Sequence, residues 1–142
     1  MGLRANPVDA YKQTRVRTAS QGRVIVMLYD EAIRQLGVAA HAIGEGTRGY
    51  DKVNTAVSKA QQIITELMVS LDFDEGGAFA QSMLNLYMFF NRQLTEANLN
   101  KQAEPLQKVR GFLTELREAW DEAEKKTSYD SSAGSNGVNI AG

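Results

Sequence analysis

At 142 residues, 43% apolar and 23% charged, the chain is long enough for one domain with a substantial core. A net charge of -1 excludes a nucleic-acid binder driven by bulk positive charge, and the absence of cysteine excludes disulfides and thiolate metal sites, which fits a reducing compartment. No apolar run approaches the roughly 20 residues of a membrane span, and residues 1–19 lack the apolar core of a signal peptide, so the expected location is the cytoplasm, in the cytosol.

Residues 1–19 carry Arg4, Lys12, Arg15 and Arg17 against one acid, Asp9, with Leu3, Val8, Tyr11 and Val16 as the sizeable apolar side chains. They read as a mobile basic arm, too short and too poor in aromatics for nucleic acid. Such an arm is either a solvated tail or a strap that docks Tyr11 into an apolar groove on its own domain. Helix 1 is predicted from the N-cap Ser20 through Val24, Ile25, Leu28, Ala32, Leu36, Ala39 and Ile43 to the break at Gly44-Glu45-Gly46. Helix 2 runs from Tyr50 or Asp51 to about Asp72, with Val53, Val57, Ala60, Ile64, Leu67 and Leu71 on the core stripe and Ile63, Met68 and Val69 progressively outside it. A turn at Phe73-Asp74-Glu75-Gly76-Gly77 leads into helix 3, which ends near Asn98 or Asn100. Helix 4 starts between Gln102 and Pro105, and its stripe is Leu106, Val109, Leu113, Leu116 and Trp120 with Phe112 alongside. From Ser128 onward Ser, Gly, Asn and Ala dominate, and the isolated Val138 and Ile140 cannot bury enough to order a segment. No period-2 apolar run of strand length appears. The fold class is all-α: an antiparallel up-down four-helix bundle over residues 20–127, a mobile N-terminal arm at 1–19 and a disordered C-terminal tail at 128–142.

Helix 3 is the outlier in composition. Phe79, Met83, Leu86, Phe90, Leu94 and Ala97 form a core stripe, yet Leu84, Met88 and Phe89 project roughly 100° to 160° from its centre. A helix apolar nearly all round needs a second cover: the arm, a second copy of the chain, or a foreign apolar peptide. Methionine among the surplus favours an adaptable groove for a helical partner.

Chemistry is not legible. A di-iron carboxylate bundle needs Glu-x-x-His pairs, and the one histidine, His41, has Val38 three positions before it. Asp30-Glu31 and Asp121-Glu122 are neighbours whose side chains diverge by about 100° on a helix, so neither pair is an acid/base couple. Gly76-Gly77 lacks a following Lys and Ser/Thr, and Asp74 and Glu75 repel anions. Neither an enzyme nor a cofactor or metal site is expected.

Tyr11 is followed by Thr18-Ala19-Ser20-Gln21-Gly22-Arg23, an aliphatic run, and Leu28-Tyr29-Asp30-Glu31-Ala32. This order resembles the opening of the flagellar secretion chaperone family FliS. The resemblance continues through Asn54, Lys59-Ala60-Gln61, Ile63-Ile64, Glu66-Leu67, Ser70-Leu71-Asp72, Gly76-Gly77, Leu86-Tyr87, Asn91-Arg92-Gln93-Leu94, Ala97-Asn98 and Leu116-Arg117-Glu118-Ala119-Trp120. Gln21 replaces the family's proline and Glu31 its glycine, which loosens the start of helix 1 without touching the surplus face. The resemblance implies a non-enzymatic cytoplasmic chaperone that binds the disordered C-terminal segment of flagellin, prevents premature polymerisation and aids type III export. It also implies contact with the flagellar export gate; family clients include an anti-sigma factor.

With that resemblance, Tyr11 is expected to cap an apolar groove formed by helix 2 (Asn54, Val57, Ile63, Ile64) and the outward side of helix 3 (Leu84, Tyr87, Met88), the client displacing the arm. Asn54 as a polar clamp on the client backbone is carried by the resemblance alone. The alternative reading is a structural homo-oligomer, such as a homodimer, whose extra apolar face is a subunit interface. The two are separated by mass as a function of concentration.

Overall fold

The computed structural model describes the backbone of residues 20–141 and the side chains of 20–127. The described residues form four α-helices and one 3-10 turn, with no strand among them: α1 (Gln21–Ile43), a 3-10 helix (Gly46–Gly49), α2 (Tyr50–Val69), α3 (Phe73–Asn100) and α4 (Ala103–Ala141). This is the expected all-α helical bundle. All four helices contribute to one compact unit, Leu28–Leu116; residues up to Met27 and from Arg117 onward form a second.

Helix ends follow local chemistry. The Ser20 hydroxyl accepts from the Arg23 N–H at 3.1 Å, satisfying one of the donors a helix start leaves open. Gly46, at φ 74°, turns the chain out of α1, and the buried Gly49 brings it back so close that an added Cβ would lie 2.2 Å from the Ala42 carbonyl oxygen. Asp72 caps α3 by accepting from the N–H groups of Asp74 and Glu75. One turn later Gly77 adopts φ 50° and ψ -123°, a region open to glycine and closed to side chains, so the expected turn at residues 73–77 is a capped helical turn ending in a kink. α3 stops at Lys101, in the left-handed region at φ 51°.

Burial inside Leu28–Leu116 follows heptad-like spacing. On α3 the buried side chains are Ala80, Met83, Tyr87, Phe90, Leu94 and Ala97, alternating steps of three and four. The expected stripe differs at two places: Phe79 is exposed, lying in the first turn after the kink, and Leu86 is half-buried while Tyr87 takes the central position. Tyr87 is held there by Tyr29 of α1, the two hydroxyls lying 2.5 Å apart in the interior. On α2 the expected stripe holds except at Leu71, which is half-buried, and Ile63, expected outside it, is buried. α4 buries Leu106, Val109 and Leu113. The sequence reading ends this helix near residue 127; its backbone runs on to Ala141, an extension that needs no new nucleation once the preceding turns exist. The proposed tail 128–142 therefore begins within α4, beyond the described side chains.

In the other unit, the Arg23 guanidinium meets Asp121 at 2.9 Å and the Ser20 hydroxyl donates to the Glu124 carboxylate, so α1 and α4 run antiparallel there: three residues forward on one is three back on the other. Arg117 and Lys125 approach the same Asp121 at 3.5 and 3.2 Å.

Candidate functional site

The surplus apolar surface of α3 lies on two flanks of its buried stripe. Wheel arithmetic puts Leu84, Met88, Asn91, Thr95 and Asn98 on one flank and Phe89 on the other, Met88 and Phe89 each about 130° from the stripe's centre.

The first flank faces α2. Gln61 of α2 donates to the Asn91 carbonyl at 3.1 Å and to the Thr95 hydroxyl at 2.9 Å, while Lys101 donates to Asn54 at 2.9 Å. As the α2 number falls by seven the α3 partner rises, so the helices are antiparallel and share a register. Continuing that register sets Met68 opposite residues 84–88. The seam is therefore graded, with amides, a threonine and an ammonium at the Asn54 end and half-buried Met68 and Leu84 with exposed Met88 at the other. Asn91 adds a polar feature within it, because its buried Oδ1 has no hydrogen-bond partner.

The second flank faces α4. Phe112 stacks on the buried Phe90 at 5.9 Å between centroids, and Phe89 lies against Phe90 at 6.2 Å, tilted by 54°. Phe89 and Phe112 remain 39% and 47% exposed, comparable to Met88 at 44%. Aromatic rings stay this accessible at a cost of unburied apolar area, which a partner would recover.

The predicted site residues divide accordingly. Asn54, Leu84 and Met88 reach the surface of the α2·α3 seam. Val57 and Ile64 are wholly buried, and Ile63 and Tyr87 nearly so, which makes these four packing residues of the bundle. Ile63 also lies on the opposite edge of the α2 stripe from Asn54. Tyr11 and the arm it belongs to lie outside the described residues. Lys101, Gln61 and the Phe89–Phe112 flank were not among the predicted site residues. The sign of the wheel angle would have separated Phe89 from Met88, whereas nothing local marks Lys101, whose partner is 47 positions away.

No group of His, Asp or Glu able to hold a metal occurs among the described residues, and no helix among them is long and apolar enough to cross a membrane. His41 is exposed in the last turn of α1.

Comparison with known proteins bears on this arrangement. The family model described as Flagellar protein FliS matches residues 4–127. The chain is 33% identical over 133 residues to the flagellar secretion chaperone FliS of Bacillus subtilis, covering 94% of this chain and 96% of that protein. It is 34% identical over 135 residues to the protein of that name in Salmonella typhimurium, with 90% and 97% coverage. Against the one from Escherichia coli it is 30% identical over 124 residues, with 84% and 90% coverage.

Proposed function

The chain belongs to the FliS family, and from that premise we propose that it is a non-enzymatic flagellar secretion chaperone acting in the cytosol, which binds the C-terminal segment of flagellin, keeps it from polymerising and delivers it for export. The observation that carries this reading is the pair of apolar flanks on α3, Leu84 with Met88 on one side and Phe89 with Phe112 on the other. A disordered client that folds into short amphipathic helices would lay an apolar face along each flank. Each buried Å² of apolar surface contributes about 25 cal/mol before the ordering cost of the client is subtracted. Tyr11 is assigned the role of an intramolecular cap over the α2·α3 seam, displaced when the client arrives. That role is carried by the family resemblance.

The test is calorimetric titration of the full chain with a peptide of the C-terminal segment of flagellin. Binding with a large negative heat-capacity change is expected, and Tyr11→Ala should strengthen it by removing the competitor. Met88→Asp should weaken binding at least about tenfold, since a carboxylate would have to be desolvated against the client. Undiminished affinity in Met88→Asp, with helical content intact by circular dichroism, would remove the α2·α3 seam from the client surface.

A further inference from the structure

Lys101 ends α3 in a backbone conformation disfavoured for a residue with a Cβ, and its side chain folds back onto the seam. The ammonium has three N–H donors and three acceptors around it: Asn54 Oδ1 at 2.9 Å, the Asn98 carbonyl at 2.7 Å and Asn98 Oδ1 at 3.0 Å. It also sits 5.3 Å from the centroid of the Tyr50 ring, a cation–π contact from α2. An ammonium held on four sides has little rotational freedom left, so what it touches is oriented by it.

The consequence falls on Asn54. A side-chain amide carries an acceptor and a double donor, and an exposed asparagine can present either. Here Oδ1 is taken by Lys101, which cannot accept a hydrogen bond, so the amide orientation follows from the chemistry of the pair. Nδ2 is left as the exposed face of the group, and Asn54 makes no other bond among the described residues. The end of the seam is thus a donor surface beside a positive charge.

We infer that Lys101 is a positioning residue that makes Asn54 a dedicated hydrogen-bond donor, and that the group it receives is a backbone carbonyl from the carboxyl end of a client helix. The inference rests on the proposed docking of a client along the α2·α3 seam and adds its polarity. The last four carbonyls of a helix lack internal partners and carry the negative end of its dipole, which is what donors next to an ammonium complement. Leu84 and Asn98 are 14 residues apart on α3, about 21 Å, so a client helix of roughly four turns with its apolar side chains over Leu84 and Met88 brings its last turn to Asn54.

The discriminating variant is Asn54→Asp in the full-length chain. It keeps an acceptor for Lys101, now a charged one, and abolishes both donors. Thermal unfolding should show stability unchanged or raised, while titration with the flagellin C-terminal peptide should show affinity about tenfold lower. Lys101→Met should also weaken binding, by freeing the Asn54 amide to turn. Combining the two should weaken it little beyond Asn54→Asp alone, because both act on one contact. Wild-type affinity in Asn54→Asp, or full additivity in the double variant, overturns the inference while leaving the chaperone reading in place. Failure of the wild-type chain to bind the peptide overturns the chaperone reading and this inference together.

Discussion

Two side chains in the interior make opposite demands on pH. The Tyr29 and Tyr87 hydroxyls share a hydrogen bond across the core between α1 and α3, and burial, partly offset by that bond, holds the Tyr87 phenol above its ordinary range. A raised folded-state value means its contribution to stability is complete below the unfolded tyrosine value, near 10, and is lost as pH climbs above it. Tyr87→Phe should lower unfolding free energy by about 1 kcal/mol at neutral pH in urea titration, and should flatten the alkaline loss. Asp121 behaves in the reverse sense. Its hydrogen bonds from Lys125 and Arg23 hold its carboxyl below the usual range, against the opposing effect of burial. Its contribution is present above the unfolded carboxylate value, about 4, and fades as pH falls further. Asp121→Asn should therefore reduce stability at pH 7 and shrink the acid-induced loss, measured as unfolding midpoints between neutral and acid pH. Acid midpoints that track the wild type would remove Asp121 from the acid response.

At the scale of elements, two glycines test what the helices and their connections require. Gly111 is exposed within α4, and a Cβ there would meet nothing within 4 Å. Gly111→Ala should stabilise the chain by about 0.5–1 kcal/mol through helix propensity and loss of unfolded-chain freedom. Gly49 has an ordinary φ but lies against backbone, the Ala42 carbonyl oxygen, that cannot swing aside. Gly49→Ala should cost about 1–3 kcal/mol as the α1–α2 connection is pushed apart, and a melting point equal to the wild type would refute that close approach. These glycines also mark how far the sequence could be read. Ser20, Gly44-Glu45-Gly46, Gly76-Gly77 and Pro105 announce helix ends in the chain itself, and each lies at or within a few residues of an observed boundary. The choice between Leu86 and Tyr87 for the core was not legible, since both are apolar and adjacent on the wheel; Tyr29, 58 positions away, decides it. Asn54, Leu84 and Met88 were legible as surface because they sit off every apolar stripe. Lys101 was not, because a lysine after a helix reads as solvent until its three acceptors are in place.

For the whole molecule, the question is what covers the two flanks of α3. Charge does little to keep copies of the chain apart, with 16 basic and 17 acidic residues. Self-association through exposed Met88, Phe89 and Phe112 is therefore the competing use of the surface that a client would take. A flank is about one helix wide, suited to a helix laid along it, and the two flanks look away from each other across the α3 stripe. A client occupying both must be a single segment with two apolar helices joined by a turn. This makes Met88→Asp and Phe89→Asp informative as a pair. The two positions are adjacent in sequence but serve different flanks, and each is exposed enough that an aspartate should change folding stability little. Each variant should weaken the flagellin peptide, and the double variant should lose about the sum of the two free energies, because the flanks share no contact. A client using one flank would leave one variant silent. Sedimentation equilibrium supplies the other half of the test: the mass of a single chain should hold through micromolar concentrations. A dimer that Met88→Asp or Phe89→Asp dissolves would instead assign that flank to a second copy of the chain, and the client would then bind only by displacing it.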